Sequence, residues 1–296
     1  MTPARALLLL VSVMGSMVAA ASPLLASSEH FDQPAVVTRG NGPTVVLLSG
    51  LLGGTARLEP LAEQLITSGF RVVAVDPYRL AADAQDVSFD GLARTVAVAL
   101  HREGVRSAIV VAHAHASGIA LRLSANFPEL ATNLLLLDAG VIASTRSAGV
   151  SRAMRLASFI SRLPGGPSFI RSRLASGIRE NSGDARWLSD AIVREYSDPM
   201  IEELPAVARM AARLAEAEEP ETLDQMLSRV RTDVIALIGG APHGFAPGAD
   251  ELLLLQRIPG ARVRHVHGVG HFVHEEAAQT IVAEVLSLQP RRSRSR

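Results

Sequence analysis

Apolar positions along the chain alternate between two periods. Thr44–Leu48 is a continuous apolar run bounded by Asn41-Gly42-Pro43 and Gly50, which predicts a buried strand. Leu58, Leu61 and Leu65 follow at helical spacing, and Gly69 closes that helix. Arg71–Val75 predicts the next strand, ending at Asp76-Pro77. Leu92, Val96 and Leu100 mark a helix with Ser88 as its N-cap. Ser107–Val111 predicts a strand, His115–Asn126 a helix, and Asn133–Leu137 a strand that ends in Asp138. Near-continuous apolar strands alternating with helices imply an α/β fold, a mostly parallel, doubly wound sheet covered on both faces. Ligands of such sheets bind beyond the carboxyl ends of the strands. The informative loops are therefore those starting at Ser49, Ala112, Asp138, Gly239 and Val266.

The alternation stops between residues 142 and 231, where the pattern predicts only helices, over 150–163, 168–178, 185–196 and 200–217. Pro164-Gly165-Gly166-Pro167 separates the first two, and Asp198-Pro199 caps the fourth. Strands at Val234–Ile238 and Val263–Val266, with helices near Ala249–Gln256 and over Glu275–Leu288, resume the sheet. The expected organisation is a core over 29–141 and 232–289 interrupted by a helical lid over 142–231. Two terminal segments stand apart from it. Residues 1–28 carry Arg5, the apolar run Ala6–Ala21 and an Ala19-x-Ala21 motif, the pattern of a signal peptide cleaved near Ala21 or Ala26. An uncleaved anchor or a misplaced start codon are the alternatives. The expectation is export, with membrane contact only through this segment if it is retained. Residues 290–296 form a basic tail expected to be disordered.

Composition narrows the chemistry. The chain has 296 residues, no cysteine and no lysine, so all 29 basic residues are arginine. Disulfides, thiolate nucleophiles, iron–sulfur clusters, Schiff-base lysines and P-loop lysines are excluded. Zero formal net charge gives no electrostatic reason to expect nucleic acid as a partner.

Four ordered stretches resemble the α/β-hydrolase fold, and the resemblance covers almost everything after residue 34. Val45–Gly54 matches the family's strand and oxyanion loop, and Val110–Gly118 its nucleophile elbow. Phe127-Pro128-Glu129-Leu130 followed by Leu134–Asp138 is the usual sequel. Gly268-Val269-Gly270-His271-Phe272-Val273-His274 resembles the loop carrying the catalytic histidine. A fold does not fix an activity, so each position needs its own reading.

The elbow requires small residues two before and two after the nucleophile. Ala112-His113-Ala114-His115-Ala116 has that spacing centred on Ala114, so alanine stands where the family has its serine. Centring the turn on Ser117 would place His115 and Ile119 at the crowded sites, and Ser49 lies in the oxyanion loop; both remain as non-standard nucleophiles of a weak esterase. The family's acid usually follows the Val234–Ile238 strand, where Gly240-Ala241-Pro242-His243 puts His243 instead. Some relatives carry the acid after the preceding strand, which leaves a His271–Asp138 pair, or a purely local structural role for Asp138. The resemblance places the base at His271 and an oxyanion hole at the backbone N–H groups of Leu51 and His115.

Three functions follow. One is non-covalent transformation of a small, largely apolar carbonyl compound by His271 and the oxyanion hole, with no cofactor. The second is a pseudoenzyme that binds or senses a ligand without turnover. The third is a metal site drawn from His113, His115, His243, His265, His267, His271 and His274; the preferred reading has no metal. Whether the chain turns over a substrate stays open at this stage.

Overall fold

A computed structural model describes residues 34–51, 54–140, 142–242 and 249–289; the terminal segments and His243 lie outside them. Seven strands form one sheet in the order β1-β3-β2-β4-β5-β6-β7. They are β1 (Val36–Arg39), β2 (Thr44–Leu48), β3 (Arg71–Val75), β4 (Ala108–His113), β5 (Ala131–Leu137), β6 (Asp233–Gly239) and β7 (Arg262–Val266). Every pairing is parallel except the one between β1 and β3. Strand β1 has no counterpart in the sequence reading, because four residues on a sheet edge, two half-buried and two exposed, leave too short a period to detect.

Helices cover both faces, as the continuous apolar strands require. On one face α1 (Glu59–Thr67) contributes Leu61 and Leu65, and the closing helix α12 (Ala278–Leu288) contributes Ile281 and Val285. On the other, α3 (Phe89–Arg102) buries Phe89, Leu92, Val96 and Leu100, and α4 (Ala116–Asn126) buries Ile119 and Leu123. Ser88 caps α3 by accepting from the Gly91 amide. The short helix α2 (Pro77–Leu80) and the helix α10 (Ala249–Arg257) complete this layer, and the short helix α11 (Val273–Glu276) packs Val273 on the first face. The expected single closing helix is two, broken at Ala277, whose φ and ψ of −138° and 37° leave the helical region.

Between β5 and β6 the described chain is helical: α5 (Ala148–Ile160), α6 (Gly166–Glu180), α7 (Asp190–Glu202), α8 (Leu204–Glu216) and α9 (Leu223–Leu227). Pro199 lies inside α7 and does not open the fourth helix. That helix starts one residue before Pro205, whose missing N–H is harmless in a first turn. The insertion has its own core, built from Met154, Ile170, Met200, Leu204 and Val207. Arg122 of α4, fully buried, holds both its ends. Its guanidinium donates to the carbonyls of Ile142 (3.1 Å) and Ala143 (3.1 Å), where the insertion leaves the sheet. It also pairs at 3.0 Å with Glu219, where the insertion returns. The Glu219 carboxylate accepts from the amide of Phe89 (2.8 Å) and so caps α3 as well. Burial lowers the Arg122 pKa from its ordinary value, and Glu219, Asp90 and Glu221 oppose that shift.

Candidate functional site

The carboxyl ends of β4 and β5 create the centre of the site. His113 and Leu137 are register partners, and the residue after each, Ala114 and Asp138, has a left-handed backbone with φ of 51° and 47°. The Ala114 amide donates to Leu137 O (2.8 Å) and the Asp138 amide to Leu237 O (2.8 Å), which carries the parallel ladder through both strained residues. Ala112 and Ala116 flank the turn, both fully buried. Ala114 thus occupies a tight strand-to-helix turn. Its methyl lies 4.0 Å from the position a Cβ on Gly50 would take, so the loop after β2 closes against the elbow.

His271 and Asp138 are brought together. The Nδ1 of His271 lies 2.5 Å from Oδ2 of Asp138, with the imidazole about one-third exposed and the carboxylate one-fifth. A carboxylate only accepts, so Nδ1 carries the proton and a neutral His271 keeps its lone pair on Nε2. The histidine loop is held from two directions. His113 donates from Nε2 to the carbonyl of His271 (3.0 Å), and the His271 amide donates to Asn181 O (2.7 Å) at the end of α6. Glu276 accepts from the amides of Gly183 (2.8 Å), Asp184 (3.0 Å) and Gly270 (3.1 Å), binding the insertion to the same loop. The two backbones touch there: a Cβ on Gly270 would lie 2.2 Å from Asn181 O.

The other histidines are engaged elsewhere. His115 is half-buried against Tyr78 and Phe89, and its Nδ1 accepts from the Tyr78 hydroxyl (2.7 Å). Burial lowers its pKa to about 4, and burial lowers that of His274 to about 3. His113 is also pushed well below its ordinary value, by burial first and then by the neighbouring His274 and His271. The ring of His113 packs in tilted contact with those of His271 and His274, at centroid distances of 4.8 and 4.4 Å. Among the described residues, no group of three His, Asp or Glu side chains is arranged to hold a metal ion. His265 and His267 lie on and just after β7.

Both alternative serines are buried. Ser117 is fully buried in α4, its hydroxyl turned back to Ala112 O at 3.4 Å. Ser49 is buried at the end of β2 with an unpartnered hydroxyl. Among the described residues, the backbone N–H groups of Leu51 and His115 donate to no protein acceptor.

A cavity of about 30 Å³ lies between this region and the insertion, lined by Leu51, Tyr78, Arg79, Met200, Val207 and Met210. That is space for one or two waters. Its charges are matched internally, with the Arg79 guanidinium between Asp76 (2.9 Å) and Glu203 (2.5 Å). Beside it, buried Arg57 pairs with Glu195 (2.5 Å) and Glu275 and stacks on Tyr196 at 4.3 Å, joining α7 to α11. Sequence reasoning missed Tyr78, Arg57 and Glu276, whose partners are up to 218 residues away. Only Asp76-Pro77, a helix-start signal, pointed towards Tyr78.

The comparisons with known proteins agree with this geometry. A model of the Alpha/beta hydrolase family matches residues 45–285. The sn-1-specific diacylglycerol lipase ABHD11 of Xenopus laevis is 20% identical over 243 residues, 79% of this chain and 76% of that protein. An esterase from Exiguobacterium antarcticum superposes with a TM-score of 0.66 at 17% identity, covering 85% of this chain and 93% of the other. A serine-to-alanine mutant of the meta-cleavage product hydrolase CumD from Pseudomonas fluorescens IP01, solved with acetates, gives 0.64 at 16% identity over 85% and 92%. The match spans β2 to β7 but for Thr44, with the turn after β4 and the loop carrying His271, and the chain belongs to the alpha/beta hydrolase family.

Proposed function

We propose that this protein binds a small, largely apolar carbonyl compound at the ends of β4 and β5 and transforms it without a covalent intermediate. The observation that carries the reading is the Asp138–His271 pair beside an elbow that holds alanine. Removing the nucleophile of a hydrolytic triad costs on the order of 10⁶ in kcat, which makes ordinary ester hydrolysis a poor use of this site. General-base chemistry needs no nucleophile. Nε2 of His271 takes a proton from the carbon next to the carbonyl, and the electron pair moves onto the carbonyl oxygen. The N–H groups of Leu51 and His115 stabilise that oxyanion, and Asp138 steadies the imidazolium. The insertion acts as a lid in this reading, because its residues Asn181 and Gly183 pack directly on the loop that carries His271.

Two assays test the proposal. Ala114→Ser should gain hydrolysis of a short p-nitrophenyl ester, about 100-fold or more over wild type, and adding His271→Asn should abolish the gain. Comparable esterase activity in the wild type would overturn the assignment of position 114. Wild type should also catalyse deuterium exchange next to the carbonyl of a small ketone, followed by NMR, and His271→Asn should not. Saturable ketone binding without exchange would instead favour the non-catalytic reading, that of a binding or sensing protein.

A further inference from the structure

We propose that the tip of the α5–α6 hairpin docks on an anionic lipid bilayer. Between Asp138 and Glu180 the chain holds seven arginines and no carboxylate. Two of them are neutralised from elsewhere, Arg146 by Glu218 and Arg171 by Asp198. Arg152, Arg155, Arg162, Arg173 and Arg179 are exposed and form no ion pair among the described residues. Large apolar side chains sit among them in water. Phe159, Leu163 and Phe169 are 45%, 45% and 47% exposed, and Pro164 at the hairpin turn is exposed too.

The arrangement follows helix geometry. At about 100° per residue, Arg152, Arg155 and Phe159 fall within one arc of roughly 60° on α5, and Arg162 follows in the turn just beyond its end. The opposite side of that helix buries Ala153, Met154 and Ser158 in the insertion's own core. On α6, Phe169, Ser172 and Arg173 share the exposed side while Ile170 and Ile178 are buried. A face serving only solubility would mix both signs of charge and keep phenylalanine inside. This face combines aromatic and aliphatic side chains with cations alone, the chemistry that inserts between lipid acyl chains while pairing with anionic headgroups. Elsewhere the exposed large apolar residues, Val98, Leu252, Leu255 and Leu286, lie on other helices without such a ring of unpaired arginines. Docking there would also bring the site to the phase in which apolar carbonyl compounds concentrate.

The absence of cysteine makes the test direct. Ser172→Cys in the full chain provides one attachment point for a polarity-sensitive fluorophore on the hairpin. Ser68→Cys provides a control at the opposite pole, beside the start of β3, whereas the insertion leaves from the carboxyl end of β5. With vesicles of mixed phosphatidylglycerol and phosphatidylcholine, the probe at 172 should shift to the blue. The probe at 68 should not, and pure phosphatidylcholine should move neither. In co-sedimentation, Phe159→Ser with Phe169→Ser should weaken binding about tenfold or more. Arg155→Gln and Arg162→Gln should each weaken it about fivefold, and added salt should mimic them. Leu286→Ser should have no effect. No shift at 172, equal shifts at both labels, or variants that bind like wild type would overturn the proposal. So would a change of oligomeric state in the phenylalanine variants without vesicles, which would make a second copy of the chain the occupant.

Discussion

Ala114 and Asp138 are the two non-glycine residues with positive φ among the described residues, and they sit side by side at the ends of neighbouring strands. For alanine this conformation costs about 1–2 kcal/mol, whereas aspartate tolerates it better. The turn after β4 therefore holds a strained backbone although the alanine side chain on it can attack nothing. Glycine would relieve the strain, partly offset by a more flexible unfolded chain. Ala114→Gly should thus raise stability by about 0.5–1 kcal/mol in urea denaturation. A loss of stability would mean that position 114 carries no strain. The small-x-Ala-x-small pattern made this position legible in the sequence, because crowding at Ala112 and Ala116 is a property of residue size. Asp138 was only half legible. Its identity suited both a local structural role and a partner for His271, and only the fold sets the 2.5 Å separation.

The sheet strands were readable one by one because burial on both faces leaves long apolar runs. The insertion was readable as helical but not in its boundaries. Two prolines, Pro199 and Pro205, compete for one helix start, and tertiary packing rather than local preference selects the second. What fastens this element to the core could not be read at all. Arg122 sits in an apolar helix pattern, and its acceptors lie 20, 21 and 97 residues further along. Removing one partner of a buried ion pair leaves the other charge uncompensated. Arg122→Met should therefore destabilise the protein by about 3–5 kcal/mol, measured by denaturant unfolding. A loss below about 1 kcal/mol would show that water replaces the guanidinium and that the clasp is dispensable. The same change should raise hydrogen exchange in the segments flanking residues 142 and 219 ahead of the sheet.

At the scale of the whole molecule, buried imidazoles set the response to acid. His115 and His274 are held at about 4 and about 3, and His113 lies well below its ordinary value, each chiefly through burial. In the unfolded chain all three titrate near 6.5. Below that pH the unfolded state binds protons the native state refuses, so stability is complete above it and declines as pH falls towards the native values. Asp76, whose carboxyl burial pushes up, has the opposite sign but is one group against three. The thermal midpoint should therefore be level near pH 7–8 and drop steadily below about 6.5, with each histidine contributing on the order of 1 kcal/mol per pH unit. His274→Gln should make that drop shallower; an unchanged slope would remove His274 from the account.

The Arg122 clasp has a further consequence. The chain leaves the sheet at Ile142 and comes back to the core at Glu219 within reach of a single guanidinium, so the length of chain between those two points is decoupled from the sheet, whereas its contacts with Arg57, Arg79 and Glu276 are not. Closing a longer or shorter loop between the same two points changes the entropy only logarithmically. Length can therefore be added at the Pro164 turn, away from those contacts, while the host scaffold keeps its register.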